Sequence, residues 1–412
     1  MSNTPSSSNP EKNPKKILFI SQFYYPDITA AAFRIKETVD YFCSRGHKVY
    51  VIGAVPHRGF AADAIIVDDG RAKVARIPIL PHHGAGKWNF IAHYLSFMFG
   101  AIWASWKLPS RFDVVLASSP PLFVGIAGWV VAGLKRAKFV LDVRDIWPDS
   151  AVSTGQISGR GFLFAWAKLA ERFLYRSADL LSCVATPMAE YVENESAGKR
   201  PLVVYNGVPK RLWEETGVVA ATLPSDGKFE ILYVGNMGHC QNLDLAVESA
   251  KRLQAEGRND VKFTLIGEGY LRPELEKAVG DFNLKNVVIA GPVSKTTALE
   301  IMRKSSALFL TLKSDVTMEK TIPSKVFDYM AAGKPILFGI QGEGGKILSE
   351  IPGNIHFDSA SVDSLTAAIY RLTNDYATFA RAAVGNRESI EKNFLREKMA
   401  EKLERKILEL FT

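Results

Sequence analysis

Cysteine is scarce in this 412-residue chain. Cys43, Cys183 and Cys240 stand apart, with neither the pairs of a disulfide framework nor the spacing of a metal site, which favours a reducing compartment such as the cytosol. Histidine is sparse too. His47 sits in Arg45-Gly-His-Lys48 as a structural residue and His82-His83 falls in a loop, so no metal is expected. Residues 1–13 lack an apolar core and read as a polar, disordered tail, not a signal peptide. Long apolar runs are also missing. The segment Trp88–Lys107 approaches spanning length but is diluted by His93, Ser96, Gly100 and Ser105, and the run Leu122–Leu134 is too short to span.

What is present is the composition of a globular protein, 47% hydrophobic and 23% charged, in a chain long enough for two cores. The net charge of +8 is uneven: residues 1–205 carry 24 Lys+Arg against 16 Asp+Glu, and residues 206–412 carry 27 of each. The first half should therefore meet something anionic. Nucleic acid is not expected, because the basic residues are scattered and no recognition motif accompanies them. The segment 88–107 suggests that the anionic partner is a membrane surface. It reads as a helix lying in the interface, with Lys87 and Lys107 near headgroups and Trp88, Trp103 and Trp106 as interfacial aromatics; a buried core helix is the competing reading.

Lys16–Ser21 predicts a buried strand, followed by a turn at Tyr25-Pro-Asp27, a helix from Phe33 to Ser44 and a strand over Val49–Gly53. Further strands are expected at Val114–Ala117 and Lys138–Asp142, with Leu122–Leu134 packed on the sheet. After about Gly227 the pattern restarts. Strands at Glu230–Gly235, Lys262–Gly267, Val287–Ala290, Ala307–Leu312 and Pro335–Phe338 alternate with helices at Leu243–Glu256 and Pro273–Val279. The fold class is α/β, two Rossmann-like doubly wound domains with a cleft between them as the default site. The expected divisions are a tail 1–13, a first domain 14–205, a second domain 206–386, and a final helix over 387–412 returning to the first domain.

The sharpest chemical signal is Thr321–Leu337. Ser324 is placed to cap a helix whose amides and Lys325 face an anion, with Asp328 about one turn on; ordinary capping is the bland alternative. Gly235 and Gly238 flank Asn236-Met237 after a strand, so the backbone can pass close to a phosphate, though a tight turn would need glycine as well. Gly267-Glu-Gly269 makes a poor dinucleotide fingerprint, since no third glycine follows at the required spacing. In the first half, Arg144 and Asp145 follow a strand end, where Asp145 could orient an acceptor hydroxyl and Arg144 attract a phosphate; a structural Arg-Asp pair competes.

Taken in order, Asn206-Gly-Val208, Gly235-Asn-Met-Gly238, Gly267-Glu-Gly269 and the Pro323–Pro335 block resemble retaining glycosyltransferases of family 4, which have the GT-B fold. The resemblance runs from about Lys15 through nearly the whole chain. Asp142-Val-Arg-Asp-Ile-Trp-Pro148 and Ile322-Pro-Ser-Lys325 resemble the bacterial N-acetyl-fucosamine transferase subgroup of O-antigen and capsule assembly. The resemblance implies transfer from a UDP-sugar without a metal, Lys325 stabilising the leaving diphosphate. It also implies two glutamates with seven residues between them, the first for the donor sugar and the second for ribose. Asp328 takes the second place, but Lys320 occupies the first and Glu319 falls one residue early. Gly267 and Gly269 lie near the nucleoside, and Ala290–Val293 where the base is held by backbone.

The expected activity is that of a cytoplasmic enzyme, peripheral at the inner face of the plasma membrane, moving a sugar of N-acetylated amino type onto a lipid-linked saccharide such as one on undecaprenyl diphosphate. A soluble transferase with a small acceptor, a nucleotide-sugar epimerase of the same fold, and a non-catalytic sugar-nucleotide sensor are the alternatives. Fold alone chooses neither donor nor acceptor.

Overall fold

The computed structural model describes residues 14–27, 29–56, 66–68, 70–81, 87–153, 159–215, 217, 228–313 and 320–412, in two units. The first comprises the chain up to Val184, Met188–Val204 and Ala400–Thr412; the second comprises Ala185–Pro187 and Tyr205–Met399. The tail 1–13, His82 and His83, and Glu319 lie outside the described residues.

In the first unit the strands are β1 (Lys16–Ile20), β2 (Lys48–Ala54), β3 (Ile66–Asp68), β4 (Lys73–Ile77), β5 (Val114–Ser119), β6 (Lys138–Val143), β7 (Leu180–Cys183) and β8 (Leu202–Val203). They form one sheet in the order β3-β4-β2-β1-β5-β6-β7-β8, parallel except for the β3–β4 pair. Ile17, Leu18, Phe19 and Ile20 are all buried, as an apolar run must be in a sheet covered on both faces. The helices are α1 (Ala30–Ser44), α2 (Lys87–Ser105), α3 (Leu122–Lys135), α4 (Asp149–Ser153), α5 (Phe162–Ser177) and α6 (Thr186–Glu195). Thr29 Oγ1 caps α1 by accepting from the Ala32 N–H at 3.1 Å. Gly128 lets α3 lie close on β5, where a Cβ would stand 2.5 Å from that of Ala117.

The α2 helix divides the two readings of its sequence. His93, Phe97, Ala101 and Ala104 are buried, and a Cβ at Gly100 would meet Ile77 of β4 at 2.3 Å. Phe99, Trp103 and Trp106 nevertheless face outward. Among the described residues no helix is long and apolar enough to cross a membrane.

In the second unit, β9 (Phe229–Val234), β10 (Val261–Ile266), β11 (Val287–Ala290), β12 (Ala307–Thr311), β13 (Ile336–Gly339) and β14 (Ile355–His356) form a parallel sheet in the order β11-β10-β9-β12-β13-β14. Phe309 stacks on Phe357 and meets Phe263 edge-on, with centroids 5.7 and 6.0 Å apart, at the centre of its core. The helices continue as α7 (Lys210–Glu215), α8 (Asp244–Ala255), α9 (Arg272–Asp281), α10 (Lys295–Lys304), α11 (Ser324–Ala332), α12 (Gly342–Ser349), α13 (Val362–Asn374), α14 (Tyr376–Ala382), α15 (Val384–Ser389) and α16 (Arg396–Leu408).

The single closing helix expected from residue 387 onward is interrupted. A π-helical turn, Ile390–Phe394, ends at an extended Leu395 (φ −71°, ψ 134°) before α16 begins. The cause is a one-residue parallel bridge: Val208 N–H donates to Phe394 O at 2.8 Å and Arg396 N–H to Val208 O at 2.9 Å. Those bonds take the backbone groups that a continuous helix would need.

Within the first unit, Glu404 of α16 is buried and accepts from His47 Nε2 at 2.9 Å, Tyr41 Oη at 3.1 Å and Arg45 Nε at 3.2 Å. His47 Nδ1 in turn accepts the Lys15 N–H at 3.0 Å, so the ring proton faces the carboxylate. Burial and the Glu404 charge push the Tyr41 hydroxyl well above its ordinary range. Glu404→Ala, which strands these donors, should cost about 3 kcal/mol in urea unfolding. A loss below about 0.5 kcal/mol, the scale of an exposed pair, would show that this network holds nothing.

Candidate functional site

In the second sheet the strand order reverses at β9: β10 and β11 extend one way, β12 to β14 the other. A doubly wound sheet opens for ligands beyond the carboxyl ends of its strands at such a reversal. The α11 helix follows β12, and Tyr329 on it clamps the end of β9. Its hydroxyl accepts the Val234 N–H at 2.9 Å and donates to Val234 O at 3.3 Å. The expected Ser324 cap is corrected by the structure. Pro323 occupies the cap position in an extended conformation and the first helical bond runs from Val326 N–H to Pro323 O at 2.9 Å. Ser324 is thus the first residue of the helix, and no side chain caps it, because the proline at the cap has no side-chain acceptor.

Lys325 lies in that first turn, its Nζ donating to the Tyr233 hydroxyl and standing 4.3 Å from the ring centroid. Burial pulls its pKa down to about 8, against the opposing pull of Asp328 one turn later. Tyr233 is itself raised far above its ordinary value by burial, so the phenol stays protonated. A partly desolvated ammonium beside the first amides of a helix is suited to an arriving anion. Asp328 is half-buried, 3.8 Å from Lys295 Nζ of α10. Lys320 stands half-buried just ahead of the helix.

The glycines have reasons of their own. A Cβ at Gly235 (φ +148°) would fall 2.2 Å from Lys325 Cε, and one at Gly267 (φ +153°) would fall 1.8 Å from Gly235 O. At Gly269 (φ +156°) it would meet the Met237 carbonyl oxygen at 2.5 Å. Two loops therefore cross with their backbones in contact, and Met237 N–H donates to Glu268 O at 2.8 Å. Gly238 N–H is engaged by Gln241 Oε1 at 2.9 Å, and Asn236 O accepts the Tyr233 hydroxyl. Of the segment 290–293, Ala290 O accepts from Gly267 N–H at 3.0 Å. The structure thus brings Ser324, Lys325, Asp328, Gly235 and Asn236 together. Sequence reading missed Tyr233, whose place in an apolar strand gave only the signal of a core aromatic.

In the first unit, Arg144 Nε lies 2.5 Å from Asp142 Oδ2, and the fully buried Asp142 also accepts from Ser182 at 2.8 Å and Ser118 at 3.1 Å. Burial acts to raise this carboxyl. Arg144, Arg34 and the hydroxyl donors outweigh it and hold Asp142 below its ordinary range. Asp145, two residues beyond the end of β6, is raised by burial, partly offset by bonds from Ser150 and the Ile146 amide. Elsewhere in this unit Gln22 and His93, which the sequence did not flag, pair with each other: His93 Nδ1 donates to Leu80 O at 2.6 Å, leaving Nε2 to accept from Gln22 Nε2 at 2.9 Å. Among the described residues no cluster of three or more His, Cys, Asp or Glu is arranged to hold a metal.

Two family models match the chain in succession, "Glycosyl transferase 4-like domain" over residues 29–207 and "Glycosyl transferases group 1" over residues 228–375. A curated relative, the putative colanic acid biosynthesis glycosyl transferase WcaI of Escherichia coli K12, is 25% identical over 86% of this chain and 91% of its own. Among solved structures, sucrose-phosphate synthase from Thermosynechococcus elongatus superposes with a TM-score of 0.76 at 15% identity, covering 96% of this chain and 99% of that one. Anabaena HepE, solved with UDP and glucose, superposes with a TM-score of 0.66 at 13% identity, covering 96% and 100%.

The depressed Lys325 fixes a pH test. The ammonium predominates below about pH 8 and is lost progressively as pH rises through it, so affinity for a nucleoside diphosphate should fall over that range. Asp328→Asn removes the charge that supports the cation, and the midpoint should move downward. Calorimetric titrations across that range check both; an affinity flat with pH in the parent would remove Lys325 from the anion site.

Proposed function

A chain made of a glycosyl transferase 4-like domain followed by a group 1 domain is a glycosyltransferase of the GT-B fold, and from that premise we propose that it builds a bacterial surface polysaccharide from a UDP-linked sugar. The donor is read as an N-acetylated amino sugar, after the resemblance of Asp142–Pro148 and Ile322–Lys325 to the N-acetyl-fucosamine transferase subgroup. The acceptor is read as a saccharide on a lipid diphosphate, and the enzyme as working at the cytoplasmic membrane face. The relative WcaI, named for colanic acid biosynthesis, and the HepE structure holding UDP support the polysaccharide and the donor class in turn.

The observation that carries this reading is Lys325, a half-buried cation at the head of α11 and the carboxyl end of β9. In the transfer, the bond from the sugar's anomeric carbon to the β-phosphate oxygen breaks and the electron pair leaves with UDP. The acceptor hydroxyl oxygen bonds to that carbon on the same face, and its proton passes to the departing phosphate. Lys325 and the first α11 amides stabilise the charge that grows on the diphosphate, the part of the reaction for which fixed donors give most. Asp328 would accept from ribose hydroxyls, and Asp145 would orient the acceptor hydroxyl. Retention follows from the family resemblance and is read from the anomeric configuration of the product.

Lys325→Ala should lower turnover about a hundredfold, roughly 3 kcal/mol of transition-state stabilisation, with the melting temperature kept. The assay is a panel of nucleotide sugars against an undecaprenyl-diphosphate-linked sugar, with products identified by mass spectrometry. A loss under about threefold would refute the diphosphate role.

A further inference from the structure

We propose that the outward face of α2, α3 and α5 is a bilayer-docking surface for anionic lipid, with α5 as its principal anchor. The α5 helix is amphipathic in the inverted sense. Toward the protein it turns Ala167 and Leu174 together with a polar network: Lys168 Nζ lies 2.6 Å from Glu171 Oε2 and 2.9 Å from Asp149 Oδ2, and Tyr175 Oη donates to Glu171 at 3.0 Å. Toward solvent it turns Phe162, Leu163, Trp166, Leu169 and Phe173, a stripe at helical spacing in which Phe162 is 87% and Leu169 67% exposed. Water is the wrong solvent for such a face, and the interface of a bilayer is the right one.

The stripe does not stand alone. Trp129 of α3 meets Phe173 edge-on at 4.9 Å, and farther along α3 Leu134 borders a shallow pocket with Trp106, just beyond α2. On α2 the exposed Phe99 and Trp103 extend the surface, with Lys107 Nζ 4.0 Å over the Trp103 ring. With α2 packed on α3 and α3 on α5, three neighbouring helices thus carry exposed aromatic side chains.

Charge selects the occupant. Residues 87–136 carry five Lys or Arg, one of them the buried Lys135, against the single acid Asp113, and residues 160–176 carry four, of which Lys168 and Arg172 are paired with Glu171 and Glu195. Lys16, Arg111 and Arg136 converge with Asp113 on a second pocket, at the amino-terminal edge of the sheet, able to take a headgroup phosphate. A second copy of this chain would bring the same cations face to face. The inference deepens the reading of a membrane-borne acceptor and is tested apart from it. Turnover on a water-soluble acceptor reports on that reading; vesicle binding reports on this one.

Flotation of the full-length protein with phosphatidylcholine vesicles, with and without phosphatidylglycerol, measures the partitioning. Trp166→Ser with Leu169→Ser should lower it by about tenfold or more, and Leu169→Ser alone gives the same sign should the pair unfold. Arg111→Gln with Arg136→Gln should abolish most of the preference for phosphatidylglycerol and its sensitivity to salt. The proposal is overturned if the parent ignores anionic vesicles at low salt, or if the α5 variants float as the parent does. It is equally overturned if the parent is a dimer in sedimentation that Leu169→Ser splits without any vesicle binding, which would make the face a self-interface.

Discussion

The second unit turns on a missing carbon atom. Lys325 can lie half-buried against Tyr233 only because residue 235 carries no side chain, and residue 235 can hold its own conformation only because residue 267 carries none either. The two glycines let β9 and β10 run out into loops that touch backbone to backbone, and the lysine fills the space this leaves. Desolvation then sets its chemistry. An ammonium in that position has lost water and gained a phenol and a ring face, so an anion entering beside it recovers interaction energy that an exposed lysine would already have obtained from solvent.

The frame was readable from the amino acids because parallel strands buried on both faces leave nearly continuous apolar runs, as β1 and β12 do. The Thr321–Leu337 block was also readable, since proline, lysine and a terminal Ala-Ala-Gly delimit a helix. What escaped was the exact helix start and most of what depends on partners distant in sequence. Ser324 looks like a cap until Pro323 is seen to hold that place. The closing helix looks continuous because the bridge to Val208 leaves no local mark. Tyr233 and His93 acquire roles only through neighbours more than seventy residues away. The α5 stripe went unread, and its period of three to four would have said only that one face is apolar, not which way that face points.

The first unit buries carboxylates with care. Asp142 lies among Arg144 and two serines, Glu171 beside Lys168 and Tyr175, and Glu404 beneath His47, Tyr41 and Arg45. Buried ion pairs are uncertain sources of net stability, yet each fixes the orientation of the elements that supply it. Under α5 this has a further effect. Because the polar side of the helix is satisfied inside, its aromatic side is left outside.

The His47–Glu404 contact joins residues 357 positions apart. A ribosome emits the chain from its amino end, so the groups around His47 are made long before the carboxylate that completes them. Until residues 400–412 are made, Tyr41 and His47 lack their acceptor. Completion of the first unit is thereby tied to a segment made after the second, so a product ended inside the second unit would lack a carboxylate that the first one needs.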